Sequence, residues 1–177
     1  MLKNLEIALN EAIQDEYKAC ETYRLVMQKF GAVRPFINII SAEQRHIEAL
    51  LPLFRKYQIP IPINQWNERN ISIPNTIHEA CLMGVQAEIE NGEMYHKLLE
   101  LSAGYPDVQS VFRNLQRASQ ENHLRAFQRS AGLPVNPVNP SHTAQNPAQT
   151  SDRFAAMNER GGGCGGGGRG RRHRGGR

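Results

Sequence analysis

Ser41-Ala42-Glu43-Gln44-Arg45-His46-Ile47-Glu48-Ala49-Leu50 puts a carboxylate and an imidazole where a helix should show only apolar side chains. Around this stretch Phe36, Ile39, Ile40, Ile47, Leu50, Leu53 and Phe54 recur at the i, i+3, i+4, i+7 spacing of one helical face. Glu43 and His46 stand in the middle of that face, one turn apart. A buried glutamate is costly unless it is paired or bound to a cation. Glu-x-x-His supplies two ligands to a dinuclear metal site when facing helices supply the others. Facing helices must therefore supply the partners.

Three further helical segments carry them. The first, from about Asn4 to Phe30, has Leu5, Leu9, Ala12, Ile13, Cys20, Met27 and Phe30 on one face, with Glu16 and Tyr23 among them. Gly31 and Pro35 punctuate its end, so the first two segments form an antiparallel hairpin. Pro60, Pro62 and Pro74 exclude a regular helix after Tyr57, and Ile59, Ile61, Ile63 and Trp66 read as an extended strap lying on the bundle. So long a connection is a crossover between two helical pairs. Thr76-Ile77-His78-Glu79 is a capping box that opens the third segment, whose face includes Ile77, Ala80, Cys81, Gly84, Val85, Leu98 and Leu99, with Glu88 and Tyr95 set into it. Glu16 precedes Tyr23 by seven residues and Glu88 precedes Tyr95 by seven, so each helix aligns a carboxylate with a phenol.

The fourth segment follows Gly104-Tyr105-Pro106-Asp107, with Val108, Val111, Phe112, Leu115, Ala118, Ser119, Ala126 and Phe127 on its face and His123 beside them. Phe36-x-Asn38-Ile39 is echoed by Phe112-x-Asn114-Leu115, and each leads to a histidine, but the second interval is one residue longer. A second Glu-x-x-His would need Glu at 120, where Gln120 stands; the acid is Glu121. At about 100° per residue, Glu121 in a regular helix points away from His123. Either a one-residue π-bulge turns Glu121 inward and absorbs the extra residue, or Glu121 faces solvent.

Together these features resemble the ferritin-like superfamily on its rubrerythrin-like side, including related small domains of unknown function. The residues carrying the resemblance are Glu16 with Tyr23, Glu43-Gln44-Arg45-His46, Glu88 with Tyr95, and Asn122-His123-Leu124-Arg125-Ala126-Phe127. The resemblance spans about residues 4–132 and implies an all-α, ferritin-like four-helix bundle over 1–132, made of two hairpins joined by the long crossover. It also implies two Fe ions, or Fe with Mn, held by Glu16, Glu43, His46, Glu88, His123 and, with the bulge, Glu121, and an oxidoreductase of ferroxidase or peroxidase type. Carboxylate oxygens mixed with imidazole suit those metals. Tyr23 and Tyr95 are expected as hydroxyl donors to the ligands. No pair of C-x-x-C motifs is present, so no rubredoxin-like electron donor is built in.

Composition bounds the rest. Residues 1–132 hold 14 Lys/Arg against 15 Asp/Glu, whereas 133–177 hold 7 against 2. The excess positive charge is thus a property of the C-terminal part. From Gly161 onward there are ten glycines and five arginines, and 133–177 read as a disordered Asn/Pro- then Gly/Arg-rich tail. Arg169, Arg171, Arg172, Arg174 and Arg177 resemble an RGG-type segment that would contact nucleic acid or another anionic surface weakly. The alternative function is a non-catalytic scaffold or assembly subunit using that tail. No apolar run reaches the roughly 20 residues of a membrane helix, and no signal-like segment leads the chain, so a cytoplasmic location without membrane contact is expected. Cys20, Cys81 and Cys164 form no motif, and the first two are expected as small buried fillers. A homo-oligomer, at least a dimer, is the expected assembly.

Overall fold

The computed structural model describes residues 2–135, and among them every regular element is helical. Helix α1 spans Leu2–Phe30 and α2 spans Phe36–Lys56. Gly31 takes the left-handed conformation (φ +83°) that closes a helix without steric cost, and its N–H donates to Met27 O. Helix α3 (Ile77–Leu101) starts at the expected capping box: Glu79 N donates to Thr76 Oγ1, and Thr76 N donates to Glu79 Oε2. Helix α4 (Pro106–Ala118), a π-helical turn over Ser119–His123 and α5 (Leu124–Ser130) follow one another with right-handed helical dihedrals at both joints. They make one rod, so the described residues form four.

Side-chain pairs fix how the rods run. Tyr23 reaches Glu88 and Tyr95 reaches Glu16, so α1 and α3 are antiparallel neighbours. Phe36 packs on Phe127 at one end, while Tyr57 Oη donates to Asp107 Oδ1 and Lys56 pairs with Asp107 at the other, so α2 and the fourth rod are also antiparallel. The connection over 57–76 then travels back along α1. Gln14 Nε2 donates to Ile63 O, the Lys18 ammonium sits 5.3 Å from the Trp66 ring centre, and Lys29 Nζ donates to Pro74 O. The crossover expected from the prolines is present, but the polar side chains of α1 hold much of it. Ile59 is buried, whereas Ile61 is exposed and Ile63 is 88% exposed, so the strap expected from Ile59, Ile61, Ile63 and Trp66 does not lie on the bundle through Ile61 or Ile63.

The core has two apolar layers. One contains Leu5, Leu9, Ile13, Leu50, Phe54, Tyr95, Leu98 and Phe112. The other contains Val26, Ala80, Cys81, Val85 and an aromatic triangle of Tyr23, Phe36 and Phe127, whose ring centres lie 5.2–5.6 Å apart. At Gly84 an added Cβ would lie 2.6 Å from the Phe127 ring, so this approach requires glycine. Cys81 is buried as expected, but Cys20 is only half-buried and Ile77 lies at the exposed edge of α3. Between the two layers lies a belt of polar side chains.

Candidate metal centre

The belt collects one carboxylate or imidazole set from every rod. Glu16 on α1, Glu43 on α2, Glu88 on α3 and His123 at the end of the π turn are all buried, and His46 on α2 is nearly so. Glu43 is the hinge of the arrangement. Its Oε2 lies 2.9 Å from His46 Nδ1, and its Oε1 lies 3.1 Å from His123 Nδ1. Glu16 Oε2 stands 3.1 Å from the same His46 nitrogen, and Glu88 Oε1 stands 3.7 Å from that of His123. The result is two trios, Glu16/Glu43/His46 and Glu43/Glu88/His123, each with its ligand atoms within 4.8 Å of one another. Glu43 belongs to both.

Helical spacing explains each placement. Glu43 and His46 are three residues apart on α2 and so face the same way. On the fourth rod the π turn inserts the extra residue inferred from the unequal repeat, and it brings Ser119 and His123 onto the buried face. It does not bring Glu121 into the cluster. Glu121 is partly exposed and belongs to neither trio. Ser119 stands at that place instead, its hydroxyl donating to Glu88 Oε2, and Gln120 Nε2 donates to the Glu88 carbonyl. Ser119 lay on the apolar stripe in the sequence but carried no signal of this role.

The two phenols cross over. Tyr23 Oη on α1 donates to Glu88 Oε1 on α3 (2.9 Å), and Tyr95 Oη on α3 donates to Glu16 Oε1 on α1 (2.7 Å). Each therefore orients a carboxylate of the opposite helix while its ring fills an apolar layer. The His46 and His123 rings stack with centres 5.5 Å apart. Glu93 and His96, which share the ligand spacing, are exposed, as is Glu90.

Three carboxylates in an apolar bundle repel one another, and the cluster responds by holding protons. Burial and then the Glu43 charge push Glu88 up to about 8. Burial also carries Glu16 well above its usual range, against the hydrogen bond with His46. Burial opposes the charge on Glu43 too, but the imidazoles of His123 and His46 on either side outweigh it and bring Glu43 down to about 2. Burial would lower His46, yet its contacts with Glu16 and Glu43 raise it to about 10. Glu43 is thus the ionised member at neutral pH, with His46 as its cation.

One atom is left over. His123 Nδ1 is fully buried and, although 3.1 Å from Glu43 Oε1, it makes no aligned hydrogen bond. A buried ring nitrogen held out of line from its only close oxygen forfeits part of the roughly 1–3 kcal/mol that a satisfied hydrogen bond would save. A cation between His123, Glu43 and Glu88 would give that nitrogen its partner, so the donor set fits a metal. A cavity of about 60 Å³ between α1 and α3 reaches the cluster and is lined by Glu16, Glu43, His46, Glu88 and Ser119. Asp15 and Asn91 face each other on its wall, with Asn91 Nδ2 donating to Asp15 Oδ2 (2.7 Å).

No protein-family model matches the chain, and no curated protein does. Among solved structures, a hypothetical protein from Methanococcus jannaschii DSM 2661 is similar: 25% identity, 75% of this chain and 84% of that chain covered, and a TM-score of 0.64. The helical arrangement therefore recurs in a second protein.

Proposed function

We propose that the chain is a ferritin-like protein with a dinuclear metal centre, two Fe or Fe with Mn, and that it oxidises Fe(II) or reduces oxygen or peroxide. The observation that carries this reading is the pair of trios sharing Glu43, with a buried His123 nitrogen that lacks a hydrogen bond. The up-down-down-up order of the four rods, with its long crossover between α2 and α3, supports the ferritin-like assignment. In that reading Glu16 and His46 hold one ion, Glu88 and His123 hold the other, and Glu43 serves both. Oxygen and imidazole donors without thiolate favour iron or manganese.

When bound in the ferrous state, the ions would supply the electrons that reduce oxygen or peroxide. The remaining tasks belong to the chain. Tyr23 and Tyr95 fix the orientation of Glu88 and Glu16 and keep a proton donor beside each. The apolar layers above and below exclude bulk water, which strengthens every charge interaction in the belt. The cavity between α1 and α3 is the route by which a small molecule reaches the cluster.

Anaerobic loading with Fe(II), followed by air, tests the reading. The expected result is ferric absorption in the near ultraviolet that stops growing at two irons per chain. Uptake that never exceeds one iron, or loaded iron that stays ferrous in air, contradicts it.

A further inference from the structure

One carboxylate beside the belt, Asp15, belongs to neither trio. It precedes Glu16 on α1, so it is turned by about 100° from the cluster and lies half-buried on the wall of the cavity between α1 and α3. Facing it is Asn91 of α3, whose Nδ2 donates to Asp15 Oδ2 (2.7 Å). The other end of that amide is idle: Asn91 Oδ1 is buried and accepts no hydrogen bond. Carboxylate and amide oxygens are hard donors that suit manganese and similar divalent ions. A cation here would give the acid a counter-charge and the amide oxygen a partner.

The pair stands on the way to the cluster rather than in it. Glu16, Glu43, His46 and Glu88 line the same cavity, so an ion at Asp15 has the ligands ahead of it. The Asp15 charge is felt there: after burial and the Glu43 charge, it is a further cause of the rise at Glu88. Lys18 also lines the cavity and would repel a cation. Its ammonium, however, is drawn to the Trp66 ring on the crossover, 5.3 Å from the ring centre, and Trp66 is not part of the cavity wall. Glu90, on the α3 side, adds a second acid to that wall.

We propose that Asp15, assisted by Asn91 Oδ1, captures each incoming divalent metal ion in the cavity and passes it on to the trios. The proposal rests on the dinuclear reading above. Asp15 is then a positioning residue for the entering metal and not a ligand of the loaded centre. A group that holds the ion only in passing lowers the barrier in both directions. Its removal slows capture and release by the same factor and leaves the final affinity nearly unchanged. Removal of a ligand instead speeds release and weakens the affinity.

The test mixes the full-length apo protein with Co(II) in a stopped-flow instrument and follows loading by the visible absorption of the bound ion. Release is followed after mixing the loaded protein with excess chelator. Wild type and Asp15→Asn should both bind two Co(II) per chain. In Asp15→Asn, loading and release should each slow by at least about tenfold, while the affinity moves by less than about threefold, the pull of one charge across a water-accessible cavity. Asp15→Glu keeps an acid on the wall and should load at close to the wild-type rate. Glu93→Gln makes the same charge change on the exposed face of α3 and should leave the rate unchanged. Asp15→Ser, read in the same way as Asp15→Asn, covers a folding defect in that variant. Wild-type loading speed in the Asp15 variants, or accelerated release with weakened affinity, overturns the proposal and leaves the dinuclear reading intact. Equal slowing by Glu93→Gln also overturns it, because net charge alone then sets the rate. Fewer than two Co(II) in the wild type overturns the dinuclear reading and this route with it.

Discussion

Glu43→Gln separates a shared centre from two independent ones. Glu43 Oε2 lies 2.9 Å from His46 Nδ1 and Oε1 lies 3.1 Å from His123 Nδ1, so a single carboxylate stands in both trios. Removing even an outer partner of a metal ligand costs about 10–100-fold in affinity, and a direct ligand costs at least that. Because the loss applies at each ion, the product of the two binding constants should fall by at least about 100–10,000-fold, or roughly 2.7–5.5 kcal/mol. Glu16→Gln and Glu88→Gln each touch one trio and should weaken one ion only. The replacement is nearly isosteric and also removes a charge that raises Glu88, so the apo fold should survive, as far-ultraviolet circular dichroism would show. The assay is a competition titration with Co(II) against a chromophoric chelator, at free metal just sufficient to saturate the wild type. The expected occupancies are two for the wild type, none for Glu43→Gln and one for each of the other variants. A Glu43→Gln protein that retains two ions, or loses only one, refutes the sharing.

Further outcomes follow from the same geometry. Metal uptake must displace protons, because Glu88 is raised to about 8 and His46 to about 10 in the apo protein. Affinity for Mn(II) should therefore increase from pH 6 to pH 9 in roughly that interval, and isothermal titrations in buffers of different ionisation enthalpy should show proton release; a pH-independent affinity contradicts the charge assignment. Apo stability has the opposite slope. The raised pKa values of His46 and Glu88 give stability that is full below their unfolded values of 6.5 and 4.5 and is lost as pH rises through about 10 and about 8. Glu43, lowered to about 2 from 4.5, gives stability that is lost as pH falls through about 2. Chemical denaturation of the apo protein across pH 2–10 checks both arms. Gly84→Ala should gain up to about 1 kcal/mol of helix propensity but force the Phe127 ring aside, for a net loss of about 1–2 kcal/mol in denaturant titration. A variant as stable as the wild type shows that the ring yields freely. Deleting 161–177, which lie outside the described residues, should abolish retention on immobilised nucleic acid and leave metal content unchanged; undiminished retention removes the RGG expectation.

Much of the belt was legible because helices report their faces. Glu16, Glu43, Glu88 and His123 interrupt apolar stripes at helical spacing, and burial follows from that interruption. The repeat between hairpins also exposed its own defect, the extra residue that the π turn absorbs. The consequence of that turn was not legible. Periodicity at 100° per residue describes an α-helix, and a local change of winding rotates every later side chain by an amount the sequence does not state. Ser119, rather than Glu121, therefore meets Glu88. The crossed pairing of Tyr23 with Glu88 and Tyr95 with Glu16 was hidden for another reason: a helix face says which side chains point inward, not which helix they meet. Ile63 stands exposed because the strap is held there through its backbone carbonyl, which accepts from Gln14 on α1, and an apolar side chain gives no sign of such an anchor.

Anomalous diffraction at the iron absorption edge, from crystals grown and loaded with Fe(II) under anaerobic conditions, tests the dinuclear centre most directly. The expected map has two peaks per chain on either side of the Glu43 carboxylate, one beside Glu16 and His46 and one beside Glu88 and His123. A single peak, or none within ligand distance of Glu43, contradicts it.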